Sequence, residues 1–117
     1  MKYMILLTIA AASLIAADAT GKWTGTLTTD EKPGPALLVL KQEGSIVTGT
    51  GGPDAGEQHA IQNGKAENGN ITFELLSTGG RILKFVLRQE GDEIKGDVTR
   101  ERDGQTQRAR LAVKRDK

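Results

Sequence analysis

The sequence predicts an all-β protein: an eight-stranded antiparallel up-and-down meander barrel built from two four-strand repeats. Three observations lead there. First, the chain repeats itself, with Val39-Leu40-Lys41-Gln42-Glu43-Gly44 returning as Val86-Leu87-Arg88-Gln89-Glu90-Gly91. Gly49 matches Gly96, and Gly21-Lys22-Trp23-Thr24 is echoed by Gly69-Asn70-Ile71-Thr72. Second, turn signals fall at Glu43-Gly44, Asn68-Gly69, Gly91-Asp92 and Asp103-Gly104, dipeptides that favour tight hairpin turns. Third, the segments between them alternate apolar and polar residues and show no helical period. Two copies of a four-strand unit give eight strands, the number that most readily closes a small barrel.

The first residues stand apart from this pattern. Lys2 supplies a positive start, residues 3–16 form an apolar run, and Ala17-Asp18-Ala19 places small residues where a signal peptidase reads them. Residues 1–19 are expected to be a signal peptide, with cleavage before Thr20. The apolar run is shorter than the roughly 20 residues a spanning helix needs, so no transmembrane span is expected after processing. Residues 20–117 then form one secreted or periplasmic domain, with repeats over about 21–67 and 68–115. There is no cysteine, so the core alone must hold it together.

Strands are expected at 22–29, 36–42, 45–50, 59–66, 70–77, 81–89, 92–101 and 105–115. Opposed residues must share a face, which tests the reading. Around Asn68-Gly69, Ala66 meets Ile71, Gly64 meets Phe73 and Gln62 meets Leu75. Around Glu43-Gly44, Leu40 meets Val47 and Leu38 meets Gly49. Around Glu90-Gly91, Leu87 meets Ile94, Phe85 meets Gly96 and Leu83 meets Val98. Around Asp103-Gly104, Val98 meets Ala109, Gly96 meets Leu111 and Ile94 meets Val113. All four hairpins choose one interior, formed by Trp23, Leu27, Leu38, Leu40, Val47, Ile71, Phe73, Leu75, Leu83, Phe85, Leu87, Ile94, Val98, Leu111 and Val113. Glycine opposite both phenylalanines would let a narrow barrel fill. On the outer face a charge ladder is expected from Lys84 to Asp97 to Arg110, with Arg88 facing Glu93. The same alternation also fits a two-sheet sandwich.

Gly21-Lys22-Trp23 resembles the Gly-x-Trp signature of the calycin barrels, which include lipocalins, fatty-acid-binding proteins and avidins. The resemblance implies that Trp23 closes one end of the barrel and that a basic residue of the last strand packs across it. Parity makes Arg115 that residue, in a cation–π contact worth about 0.5–2 kcal/mol. The chain has no second lipocalin motif, no lid of paired helices and no further Trp for a biotin box, so no ligand contact carries over.

Catalytic chemistry finds little footing, and no enzyme activity, cofactor or metal is expected. The single histidine, His59, follows Asp54 and Glu57 in a glycine-rich stretch whose spacing matches no strong metal motif. No Gly-x-Ser-x-Gly elbow or phosphate-binding loop occurs. A net charge of +1 without basic runs argues against nucleic acid. Binding is the better expectation. Gln62, Arg100 and Gln107 are inward polar positions near one rim, and polar groups at an apolar mouth suit a small apolar or amphipathic ligand. Alternatively, Leu37, Val39, Ile46, Ile82 and Val86 fall outward and offer a surface for a protein partner or envelope association.

Overall fold

The computed structural model describes residues 18–30, 32–76, 80–102 and 104–116. Residues 1–17 of the signal peptide expected over 1–19 lie outside these residues, as does Asp103 of the last turn. Eight strands follow one another: β1 (Gly21–Thr29), β2 (Lys32–Glu43), β3 (Ile46–Asp54), β4 (Glu57–Glu67), β5 (Asn70–Leu76), β6 (Ile82–Glu90), β7 (Glu93–Arg102) and β8 (Gln105–Arg115). Each pairs antiparallel with its chain neighbour, and β8 pairs back onto β1 from Trp23↔Arg115 to Thr29↔Ala109. That last pairing closes the barrel and rules out the sandwich.

The turns explain where the register departs from expectation. Asn68 and Gly69 have φ of 52° and 82°, both positive as a type I′ turn requires, and Ala66 meets Ile71. In the other two turns at this end glycine comes first: Gly44-Ser45 and Gly91-Asp92, with φ of 62° at each glycine. Glycine first is the type II′ arrangement. The turn centre therefore moves by one residue and every pair by two, so Leu40 meets Gly49 and Leu87 meets Gly96. Faces are unchanged, but partners are not. Lys84 stands opposite Thr99 rather than Asp97, and Arg88 opposite Lys95 rather than Glu93. Of the ladder, Asp97–Arg110 remains at 3.8 Å, while Arg88 donates to Asn70 Oδ1 at 3.1 Å.

Gly96 consequently no longer opposes Phe85, whereas Gly64, between Gln62 and Lys65 on β4, still lies across from Phe73. Phe85 faces Val98 on one side and Phe73 on the other, and the two rings stack with centroids 4.5 Å apart. Gly49 and Gly96, equivalent positions of the repeated segment, let neighbouring backbones close in. A Cβ on Gly49 would collide with the Val39 carbonyl, and one on Gly96 with the Val86 carbonyl. Every interior residue expected from the sequence lies in the core cluster or packs against it, joined by Ala19, Ala36, Ile61, Ala66 and Ala109.

Two segments are more regular than the sequence suggested. The glycine-rich stretch 51–58 is strand, with β3 reaching Asp54 and a two-residue turn leading to Glu57. β2 begins at Lys32 and includes Pro33 and Pro35. Pairing with β3 starts only at Leu37, so one edge there is open and the missing proline N–H groups cost no ladder bond.

β3 carries an extra residue relative to β4 between Gly51 and Asp54, and β4 holds a bulge that changes the face of a site candidate. Between Gln62 and Lys65 it carries an extra residue relative to β5, and Asn63 there has φ of 55°. This β-bulge turns Ile61 inward against the core and Gln62 outward, where it is exposed and opposite Glu74 rather than Leu75.

Because β6 and β7 touch so closely, Gly96→Ala is expected to destabilise by about 1–3 kcal/mol. Urea denaturation would measure it, and an unchanged midpoint would show that the two strands separate without strain.

Candidate functional site

The two ends of the barrel differ in kind. One end is the mouth, formed by the end of β1, the starts of β6 and β8, and the end of β7. Leu27, Leu83, Val98 and Ala109 line a pocket of about 100 Å³ there, bordered by Arg100, Gln107 and Arg108. Arg100 and Gln107 are Cα partners across β7 and β8, and Arg100 Nε donates to Gln107 Oε1 at 2.7 Å. Of the three expected mouth residues the structure brings these two together. Gln62 is not with them, because the bulge at Asn63 has moved it to the outer face.

Below the pocket the interior is full. Leu38, Phe73, Leu75 and Phe85 are each at most 5% exposed, so the space belongs to the rim rather than to the barrel axis. Ala109, expected opposite Val98 but outside the expected interior set, supplies a further wall. Leu27 and Leu83 pack against the core as expected and also line the pocket, because they sit at strand ends where the core opens. Neither Arg100 nor Arg108 forms an ion pair among the described residues. A second groove, lined by Ile82, Lys84, Thr99, Arg100, Glu101 and Thr106, adjoins it on the outer side. Arg100 therefore borders both an apolar recess and a polar groove.

His59 lies away from this pocket, opposite Gly51, with Nε2 3.6 Å from Glu57 Oε2. The Asp54 carboxylate is occupied locally, accepting the Gly56 N–H at 2.9 Å. Among the described residues no group of three metal-binding side chains converges.

The opposite end is closed. Trp23 is fully buried, and the Arg115 guanidinium carbon lies 4.4 Å from its ring centroid. Arg115 Nε donates to Asp92 Oδ1 at 2.9 Å, tying β8 to the β6–β7 turn. Its two terminal nitrogens donate to the carbonyls of Thr20 and Asp18. The side chain is packed against Gly21, with Arg115 Nη1 3.3 Å from where a Cβ would stand. In Gly-x-Trp the glycine thus makes room for the arginine that covers the tryptophan.

Beneath Trp23 the chain segment 18–20 runs across the barrel end. Ala19 is fully buried, and its carbonyl accepts Trp23 Nε1–H at 2.9 Å. Its N–H donates to Gln42 Oε1 at 2.9 Å. Gln89 Nε2 donates to the Asp18 carbonyl at 3.1 Å. Gln42 and Gln89 are equivalent residues of the repeated segment, on strands four apart and so on opposite sides of the barrel. Each also donates to a turn carbonyl two residues on, Gly44 and Gly91. The sequence signal was present, since parity with Leu40 and Leu87 already aims both glutamines inward.

Hydrogen bonds from the Thr20 hydroxyl and then the Thr20 N–H hold the Asp18 carboxyl below its ordinary value of 3.8. The Arg115 charge adds a smaller pull in the same direction, and desolvation opposes them.

The outward apolar residues do not gather into one patch. Val39 on β2 and Val86 on β6 lie four strands apart and face opposite sides. Leu37 is only 7% exposed, and Gln58 Nε2 reaches its carbonyl at 3.3 Å.

Two outcomes follow for the closed end. Arg115→Ala is expected to cost about 2–4 kcal/mol, since it removes the ring contact and charged hydrogen bonds together. Arg115→Lys should recover part of this in thermal unfolding. Because the Asp18 carboxyl is depressed in the fold, its contribution is full above 3.8 and is lost as pH falls through the lower folded value. Asp18→Asn should flatten that acid limb of a stability–pH curve, and a limb of unchanged depth would assign it to other carboxylates. Comparison with protein-family models, with curated proteins and with solved structures finds no match to this chain.

Proposed function

We propose that this chain is a non-enzymatic, exported calycin-like barrel that binds the end of a small amphipathic molecule at its mouth. The observation that carries this reading is the conjunction at Arg100. An apolar recess of about 100 Å³ opens beside a guanidinium that has no carboxylate partner among the described residues. Apolar walls with a few convergent polar groups are the usual make-up of a ligand site. The recess is smaller than the roughly 300–1,000 Å³ of whole-ligand pockets, which suits a chain terminus or one small ring. Arg100 and Arg108 favour a polar head bearing negative charge, which would lie along the groove by Lys84 and Thr106.

Export is supported by the apolar leader followed by small residues. The barrel's polarity agrees with life in water, because its apolar face points in and Lys84, Arg88, Lys95 and Lys114 point out. A transmembrane barrel has the reverse arrangement. The calycin likeness rests on the eight-stranded meander and on Trp23 closed by Arg115.

Titration with decanoate, followed by methyl NMR, tests the reading. The Leu27, Leu83 and Val98 methyls are expected to shift, decanol should bind more weakly, and Arg100→Ala should weaken decanoate by about tenfold, or about 1.4 kcal/mol. Shifts confined to other parts of the surface would refute binding at the mouth.

A further inference from the structure

The segment Asp18-Ala19-Thr20 behaves as part of the barrel, although the sequence motif Ala17-Asp18-Ala19 points to a cut before Thr20. Such a cut would discard two residues that the fold uses. Five hydrogen bonds would go with them: Ala19 N–H to Gln42, Trp23 Nε1–H to the Ala19 carbonyl, Gln89 and Arg115 to the Asp18 carbonyl, and Thr20 N–H to the Asp18 carboxylate. Trp23 and Gln89, both buried, would lose acceptors, and fully buried Ala19 would leave the bottom of the core uncovered. The grip is also two-sided, since Gln42 and Gln89 hold the segment from opposite walls. Leader cleavage precedes folding, so exposure in the folded barrel does not choose the bond. What the fold shows is which product is complete.

We propose that the mature chain begins at Asp18, from hydrolysis of the Ala17–Asp18 peptide bond by a leader peptidase. Ala17 supplies the small residue at the cut. Water adds across that bond: its oxygen joins the Ala17 carbonyl carbon, and residues 1–17 leave as a carboxylate. Both protons of the water pass to the Asp18 nitrogen, which becomes the α-ammonium of the mature chain. The carboxylate of Asp18 remains on Thr20, and the short strap 18–20 remains across the barrel end as its plug. This inference rests on the exported reading above and is independent of any ligand at the mouth.

The test is the N-terminus of the protein exported by its own host, read by intact mass and N-terminal sequencing. A chain starting at Asp18 is the expected result. A chain starting at Thr20, two residues shorter, overturns the assignment while leaving export in place. A chain retaining Met1 overturns both. In the same sample the single tryptophan, Trp23, should be several-fold less accessible to acrylamide than in the urea-unfolded chain. Equal quenching in the two would show that the strap does not cover it.

Discussion

The rest of the structure depends on the lock between the first and last strands. A closed sheet has no free edge, and closure here requires β8 to end beside the start of β1. At that corner one side chain connects everything that must meet. Arg115 covers Trp23, reaches Asp92 in the β6–β7 turn, and donates to the carbonyls of Asp18 and Thr20. A guanidinium suits this corner because its planar fork stacks on a ring and still directs separate donors outward along its edges. A lysine offers charge without the fork. Trp23 needs the arrangement equally, because a buried indole N–H without an acceptor costs about 1–3 kcal/mol. The Ala19 carbonyl supplies the acceptor. Ring, cation and strap therefore stand or fall together.

The fold was legible because strand arguments depend on parity more than on register. Assuming turns centred on Glu43-Gly44 and Glu90-Gly91 paired Leu40 with Val47, whereas Leu40 meets Gly49. An error in the turn centre of one residue shifts pairs by two, and a shift of two returns each side chain to its own face. The interior survived while individual partners, such as those of Lys84 and Arg88, changed. A bulge is different, since a single extra residue reverses the face. Asn63 does this in β4, and Gln62 left the mouth as a result. The clue lay in Asn63-Gly64, a second Asn-Gly dipeptide, and in Ile61, an apolar residue that unbroken alternation would have turned toward water.

The two ends of the barrel were unequally legible. Trp23 and Arg115 were reached from the Gly-x-Trp resemblance combined with strand parity. Gln42 and Gln89 sat in plain view in the repeated segment, yet a polar residue at an inward position looks like a fault until its partner is known. That partner is a backbone, and the backbone belongs to residues whose composition matches the end of a leader. The small residues expected at the end of a leader and the residues the fold hydrogen-bonds overlap at Asp18 and Ala19.

The filled interior limits what the mouth can do. Phe73 stacked on Phe85 occupies the volume that larger barrels give to a ligand, so no cargo can be enclosed along the axis. A recess of about 100 Å³ takes only a few non-hydrogen atoms. At about 0.3–1.5 kcal/mol per atom, apolar contact there yields weak binding by itself. In the proposed ligand-binding reading, specificity then comes from the rim, where Arg100 is oriented by Gln107. A guanidinium held in place before the ligand arrives loses less freedom on binding than a mobile one. The same hydrogen bond uses Nε, so in the proposed reading the terminal nitrogens of Arg100 are the donors for an anionic head group. Selection by the head group, with the apolar end serving to place it, is the division of labour this mouth permits.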